Sequence, residues 1–476
     1  MGRRTLERWR SLFVIVYALG LLASVSATAR AAQNKSLDEQ YKEAVAEYEA
    51  GKYPAAAAKL EKLLPNAPES FELHEILGLA YSGASQDAKA NPHLEKAVRL
   101  KPDSAAARTN LAANLLRLGR LELAREQFRK AAELEPENFD TNHNLGETYV
   151  RSGKIAEATP FLEKAQKLEP TSYDNGYDLA LAYLLTGRLG EAQELVGGLL
   201  KLKDTAELHN LLGEIEEKDG KFVEAEKEFE LAAHAEPSES NLFDWGSELL
   251  LHRTLEPAIE VFQHATERYP ESPRLAIGLG MAMYALGKYD DAVKSLLRAA
   301  DLKPDDPRCY PFLSRAYDSS PSQAGEVIQR FQRYAEMQPR NGLAQYFYAM
   351  SLWKGKRAQD PDLDLKRIEA LLRRAVALDP KLADAHLQLG NLDSDQKKYA
   401  EAIPEYKRAL ELNAELADAH YRLGQAYVRT GEKERAQEEF DVYQKLRAQH
   451  LADLDKQKAE IRQFVISAKD APGGKQ

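Results

Sequence analysis

The chain repeats itself at a period of 34 residues. Residues 418–440 read DAHYRLGQAYVRTGEKERAQEEF, and residues 384–406 read DAHLQLGNLDSDQKKYAEAIPEY. Asp-Ala-His, Leu-Gly and a later Ala-x-x-x-aromatic stand in register between the two stretches. Such a period constrains the fold strongly, because each copy is one supersecondary unit that buries its apolar face only against its neighbours.

Four kinds of residue mark the period along most of the chain. A proline recurs, a small residue follows ten positions later, then a turn glycine, and then an alanine that precedes a large apolar residue. The prolines are Pro68, Pro102, Pro136, Pro170, Pro237, Pro270, Pro304, Pro339 and Pro380. The small residues include Gly78, Ala112, Gly146, Ala180, Gly213, Gly246, Gly280, Gly390 and Gly424.

The markers describe two helices joined by a turn. Alanine, leucine, glutamate and lysine dominate, which favours helix over strand. A tiny side chain inside the first helix indicates a close crossing by the second helix, since glycine there otherwise costs ~1 kcal/mol in helix propensity. The turn glycine ends the first helix in a left-handed conformation, and the proline stops the second.

These residues resemble the signature of the tetratricopeptide repeat family. The resemblance implies an all-α, right-handed superhelical solenoid of about twelve helix-turn-helix units across residues 33–450. Unit nine has an altered turn, and unit ten is lengthened. The units begin near residues 37, 71, 105, 139, 173, 206, 239, 273, 307, 342, 383 and 417.

The two ends of the chain differ from the repeats. Residues 1–32 combine four early arginines, an apolar run over 11–27 and Ala-x-Ala sites, which is the pattern of a cleaved signal peptide. The alternative is an uncleaved anchor, although 17 apolar residues fall short of the ~20 that span comfortably. We expect a C-terminal capping helix over 451–470 with a polar face, and a disordered tail over 471–476.

Charge and cysteine content limit the partners. The formal charge is −10, and it becomes −14 without residues 1–32, which hold five arginines and one glutamate. A chain this acidic is not drawn to nucleic acid or to anionic membranes. The single cysteine, Cys309, is predicted to be a small buried hydrophobe, with an intermolecular bridge as the alternative.

No stretch of the sequence predicts catalysis, a metal or a cofactor. The recurring Gly-Lys pairs lack the second glycine and Ser/Thr of a phosphate-binding loop. The histidines at one repeat position are a whole unit apart, so we expect them to pack rather than share a metal. A calcium-like spacing in DPDLDL lacks the required glycine and glutamate. The residues in question are His74, His209, His386, His420, Asp360, Asp362 and Asp364.

The candidate binding surface is the layer of first helices, where ligands of this family usually lie. Units three and four contribute polar residues, with Arg117 and Arg151 expected to hold an acidic or terminal group. Units five to eight contribute apolar anchors, and the alternative for each residue is packing against a neighbouring unit. The predicted site residues are Asn110, Arg117, His143, Asn144, Arg151, Tyr177, Leu181, Phe243, Met281 and Tyr284.

The sequence therefore predicts a non-catalytic scaffold or adaptor of the cell envelope or exterior that holds a protein or peptide segment in a concave groove. The alternative is an envelope assembly chaperone that acts on several client proteins. The export signal leaves the periplasm and the exterior both open.

Overall fold

The computed structural model describes residues 27–320, 323–355, 365–448, 459–463 and 465–467. Within these residues the regular structure is helical and contains no β-strand. The chain divides into two compact units, Met1–Thr186 and Gly187–Gln476. These are called the first unit and the second unit from here on, and each contains several of the helix-turn-helix repeats. The predicted all-α fold built from repeated helix pairs is confirmed.

The described helices follow one another as first and second helices of the predicted repeats, and odd-numbered helices come first. A first helix and its second helix are called a pair where both lie in one unit, and pairs are numbered by repeat. The helices of the first unit are α1 (Ala27–Glu49), α2 (Tyr53–Leu63), α3 (Phe71–Gly83), α4 (Asp87–Leu100), α5 (Ala105–Arg117), α6 (Leu121–Leu134), α7 (Phe139–Arg151), α8 (Ile155–Leu168) and α9 (Tyr173–Thr186). A 3-10 turn, Leu64–Asn66, follows α2.

The second unit contains the remaining helices. They are α10 (Leu189–Leu202), α11 (Ala206–Asp219), α12 (Phe222–Ala235), α13 (Glu239–Leu251), α14 (Leu255–Arg268), α15 (Pro273–Ala285), α16 (Tyr289–Leu302), α17 (Cys309–Ser319), α18 (Ala324–Met337), α19 (Gly342–Gly355), α20 (Leu365–Leu378), α21 (Ala383–Asp395), α22 (Tyr399–Leu412), α23 (Ala417–Thr430) and α24 (Lys433–Ala448).

The two helices of a pair cross closely at the small residue, as predicted. A Cβ added to Gly146 would lie 2.5 Å from Leu162 Cδ2, and one added to Gly280 would lie 2.6 Å from Leu296 Cγ. In both pairs the neighbour is the large apolar residue of the second helix. The missing side chain thus lets a buried leucine pack directly on the backbone of the first helix.

Turns between the helices need a left-handed residue. Gly220 and Gly431 end α11 and α23 with φ of 80° and 90°. Arg253 and Lys397 adopt the same region with φ of 61° and 63°, in the turns after α13 and α21 where the glycine is missing from the repeat. Side chains with a Cβ carry a steric cost there that glycine avoids.

First helices form the inner layer of each unit. Neighbouring first helices such as α7 and α9, or α13 and α15, approach one another more closely than most neighbouring second helices do. A stack whose members are closer on one side curves toward that side. The layer of first helices is called the inner face below.

Each unit has its own hydrophobic core. The largest cluster of the second unit runs from Ala233 to Tyr348, and the main cluster of the first runs from Ala44 to Leu145. Cys309 is fully buried, as predicted, and its burial raises the pKa of the thiol. Such a thiol remains protonated and behaves as a small apolar side chain.

Some of the predicted features lie outside the residues that the structure describes. Residues 1–26, which hold most of the predicted signal peptide, and Asp360, Asp362 and Asp364 lie outside the described residues. None of the described helices combines the length and apolar character needed to cross a membrane.

The described residues of the predicted C-terminal cap contact the core of the second unit. Its described residues, 459–463 and 465–467, are helical and are called the C-terminal segment below. Ile461 and Val465 join the core cluster of residues 233–348. In the described residues the segment therefore packs on the core of the second unit through Ile461 and Val465. The capping helix over 451–470 stays a prediction, because most of that range lies outside the described residues.

Substitution of Gly280 by alanine tests the close crossing. The added methyl group overlaps Leu296, so we expect the free energy of unfolding to fall by about 1–3 kcal/mol. Gly197 lies within α10 in the same unit with no atom within 4 Å of an added Cβ. Gly197→Ala should instead raise stability by roughly 0.5–1 kcal/mol. Urea unfolding followed by circular dichroism measures both, and equal effects would contradict the packing argument.

Replacement of Lys397 by glycine tests the strained turn. Relief of the left-handed strain is offset in part by the greater freedom of glycine in the unfolded chain, and we expect a net gain of about 0.5–1 kcal/mol. Lys398 has a φ of −87°, so Lys398→Gly should only destabilise. Thermal unfolding distinguishes the two variants, and a loss of stability in Lys397→Gly would refute the assignment of strain.

Candidate functional site

A cluster of titratable side chains lies on the inner face of the first unit, where α7 and α9 approach each other. His143 on α7 contacts Asn175 on α9, with 3.2 Å between His143 Nδ1 and Asn175 Oδ1. The His143 ring stacks on Phe139 at a centroid distance of 5.4 Å. These contacts hold the imidazole at the junction of the two helices.

Asp178 on α9 has the most unusual chemistry of this cluster. The pKa of its carboxyl group is raised to about 6, chiefly by burial; His143 and Arg151 lower this pKa in part, and Glu147 and Asp174 raise it. Burial disfavours the ionised form because it removes water from the carboxylate. Three carboxyl groups therefore face one guanidinium at this place, which makes the cluster acidic.

Arg117 does not present an open guanidinium. Its Nε donates to Asp87 Oδ1 at 2.7 Å, and its Nη2 donates to Ser82 Oγ at 2.7 Å. Asn114 Nδ2 donates to the same Asp87 oxygen at 2.9 Å. The positive charge of Arg117 is thus already matched by a carboxylate of its own chain.

Arg151 is matched in the same way. Its Nη2 donates to Glu147 Oε1, one helical turn earlier on α7, at 2.7 Å. The side chains of Arg151 and Glu147 are 50% and 27% exposed. An acidic partner group that binds Arg117 or Arg151, as the sequence suggests, would have to share the guanidinium with a carboxylate of this chain.

The other predicted residues of the first unit differ in exposure. Asn110 is buried and donates from Nδ2 to Glu75 Oε1 at 3.2 Å, so it ties α5 to α3. Asn144, Tyr177 and Leu181 are half-buried. Tyr177 and Leu181 lie one turn apart on α9 and flank Asp178, so the acidic cluster has apolar neighbours on its own helix.

Two predicted anchors of the second unit do not lie in an open groove. Phe243 is 0% exposed and Met281 is 2% exposed, and both belong to the main core cluster. The Phe243 ring contacts Phe262 and the guanidinium of Arg274. They are core residues, and the prediction of groove anchors is wrong for them because first-helix positions here pack against other parts of the same chain.

Tyr284 keeps partial exposure at the edge of this cluster. Burial raises the pKa of its hydroxyl, an effect that Arg315 opposes. Arg315 on α17 pairs with Glu460 of the C-terminal segment, with 3.0 Å between Nη2 and Oε1. Arg315 and Glu460 were not predicted, and the only sequence signal for their contact is the apolar spacing of Ile461 and Val465 beside a carboxylate.

The repeated histidines act within their own pairs. In three of the four, Nδ1 contacts a carboxylate 19 residues later on the second helix, at 2.5 Å for Glu228, 2.7 Å for Glu405 and 2.5 Å for Glu439, whereas His74 Nδ1 lies 3.1 Å from His93 Nδ1. The histidines are His209, His386 and His420. The described residues contain no group of His, Cys, Asp or Glu arranged to hold a metal ion. The contacts seen are packing contacts between first and second helices.

Comparison with known families agrees with this architecture. A model described as TPR repeat matches residues 114–153 and 390–431. Three further models are described as tetratricopeptide repeat. One matches residues 149–215 and 249–316, another matches residues 41–105, and the third matches residues 417–450. The chain belongs to the tetratricopeptide repeat family, whose members are generally non-catalytic scaffolds for protein–protein interaction.

Solved structures with similarity to the chain include three helical examples. Yeast Tom70 is 15% identical, with 84% of this chain and 97% of that one covered and a TM-score of 0.35. Pseudomonas aeruginosa pilF is 22% identical, with 44% and 95% covered and a TM-score of 0.36. A tetratricopeptide repeat protein from Parabacteroides merdae is 14% identical, with 59% and 99% covered and a TM-score of 0.38. No curated protein matches the sequence.

The raised pKa of Asp178 predicts a particular dependence of stability on pH. The folded chain holds this proton up to about pH 6, whereas an unfolded aspartate releases it near ~3.9. Asp178 thus contributes stability that is fully present below pH ~4 and is lost as the pH rises through about 6.

Asp178→Asn removes this ionisation. We expect the melting temperature of the variant to exceed that of the parent above about pH 6 and the difference to shrink toward about pH 4. Asp140, an acidic residue in the first turn of α7, provides the control Asp140→Asn, which should show no gain above pH ~6 because a carboxylate near a helix N-terminus is stabilising. A constant difference across the pH range would contradict the assignment.

Proposed function

We propose that this protein is an exported scaffold that holds a segment of a partner protein on the inner face of its first unit. The observation that carries the proposal is the grouping of half-buried His143, Tyr177, Asp178 and Leu181 where α7 meets α9. Partly exposed apolar groups beside a desolvated carboxyl are typical of a binding surface, because a partner that covers them removes apolar area from water.

The charge of the cluster favours a basic partner residue. Glu147, Asp174 and Asp178 together outweigh Arg151, and Asp178 is the carboxyl whose ionisation is most costly. A lysine or arginine placed against Asp178 would compensate for that cost through a charge-assisted hydrogen bond. Tyr177 and Leu181 would contact apolar side chains next to the basic residue, which gives the segment a mixed basic and apolar character.

The proposal of export rests on the amino-acid sequence. Residues 1–32 carry the charged start, apolar middle and small-residue exit of a signal peptide. The remaining chain has a formal charge of −14, which supports a protein partner over nucleic acid. The periplasm and the cell exterior both fit this pattern.

Selection of displayed random peptides on the immobilised full chain tests the binding proposal. We expect selected peptides to share a basic residue next to apolar ones. Their affinity should fall roughly tenfold between pH ~7 and pH ~5, because Asp178 takes up a proton as the pH falls through its pKa. In Asp178→Asn both the affinity and this pH dependence should be lost.

Two controls define the outcome. Val223 on α12 is 79% exposed and lies on a second helix, so Val223→Ala should leave binding unchanged. Tyr177→Ala should weaken binding without removing the pH dependence. Equal binding by the parent and by Asp178→Asn would refute the site, and peptides without any shared pattern would support a chaperone of broad specificity instead.

A further inference from the structure

The C-terminal segment lies on the inner face of the second unit and is held by two apolar side chains and three polar contacts. Ile461 and Val465 are 7% and 6% exposed within the core cluster. Glu460 pairs with Arg315 on α17, and Arg462 Nη2 lies 3.1 Å from Glu217 Oε1 on α11. Arg308 Nη1 donates to the Ser467 carbonyl oxygen at 3.3 Å.

The described residues of the segment contact first helices of pairs six and nine. The Glu460 side chain contacts Arg315 on α17, and the Ser467 backbone carbonyl oxygen accepts from Arg308, just before α17. The Arg462 side chain contacts Glu217 on α11. The segment thus lies between these two first helices.

The contacts of the C-terminal segment resemble those of a bound peptide more than those between neighbouring repeats, because they join residues that are distant in the sequence. Their partners are 145 to 245 residues apart in the sequence, whereas every other helix packs mainly on its neighbours in the chain. The exposed ion pairs of the segment contribute only ~0–1 kcal/mol each. Much of its occupancy therefore comes from being tethered to the same chain, which raises its effective concentration.

The site left by the segment would keep clear chemical preferences. The side chain of Arg315 is 41% exposed even when paired, and the Glu460 carboxylate raises the pKa of Arg315. Ile461 and Val465 belong to the apolar core cluster that half-buried Tyr284 borders. A group that replaces the segment needs a carboxylate for Arg315 and apolar side chains for the places of Ile461 and Val465.

We propose that the C-terminal segment, described over residues 459–463 and 465–467, is a built-in competitor on the inner face of the second unit. The partner that displaces them is an amphipathic helix of another protein. It carries an acidic residue immediately before the first of two apolar residues spaced four apart. This proposal deepens the proposed scaffold function and rests on it, but it concerns different residues, and the two are tested independently.

Binding of a labelled peptide to the full chain tests the competition. The probe is a fluorescent peptide of residues 456–470, KQKAEIRQFVISAKD, and the measurement is fluorescence anisotropy. Ile461→Glu with Val465→Glu places two charges against the core cluster and releases the segment. We expect this double variant to bind the peptide at least tenfold more tightly than the parent chain, whose site is occupied.

Ile466 provides the matched control, because it neighbours Val465 but is 55% exposed. Ile466→Glu should bind the peptide as weakly as the parent. If the double variant loses its helical circular dichroism, Glu460→Arg in the full chain replaces it, since that change breaks an ion pair without placing charge in the core. It should also release the segment and raise peptide binding.

A charge exchange identifies the site. A peptide with Glu460→Arg should bind the double variant at least tenfold more weakly than the original peptide, and Arg315→Glu in the chain should restore its binding. Failure of that restoration, or a folded double variant without any gain in peptide binding, would overturn the inference. The outcome of the Asp178 experiment on the first unit does not depend on this result.

The molecular mass of the parent chain in solution tests whether the segment of a second copy, rather than that of the same chain, fills the site. A parent dimer that dissociates in the Ile461→Glu, Val465→Glu variant would show that the segment of a second copy fills the site. That result would overturn the intramolecular competition. A monomer in both variants, together with the gain in peptide binding, supports it.

Discussion

The close crossing of the two helices in each pair is the constraint on which the rest of the structure depends. Where the first helix carries glycine, as at Gly146 and Gly280, the large side chain of the second helix packs on its backbone. This contact fixes how deeply the helices interlock, and it recurs along each unit. A second contact, the approach of neighbouring first helices, defines the inner face of each unit.

The sequence predicts what is local and periodic, and it fails where contacts are distant or specific to one place. The all-α repeat fold could be predicted because each packing rule acts within 34 residues. The pairing of Arg117 with Asp87 could not, since acidic residues occur at many repeat positions. Burial of Phe243 was missed because an apolar residue on a first helix looks the same in sequence whether it faces solvent or other parts of the chain.

The two inner faces differ in the chemistry that they offer. In the first unit, carboxyl groups around Asp178 dominate and are flanked by half-buried apolar residues. In the second, an apolar cluster is bordered by Arg315, a cation. One scaffold fold thus carries two surfaces of opposite charge preference, and neither preference depends on the residues that define the repeat.

The position of the C-terminal segment in the chain has a consequence for the order of events during synthesis. Glu460 follows Arg315 by 145 residues, a length that a ribosome adds in on the order of ten seconds. Pairs six to nine are therefore synthesised well before the segment. Under the proposed competition, a partner that reaches these pairs before the segment has docked meets a vacant inner face, whereas a partner that arrives later must displace the segment.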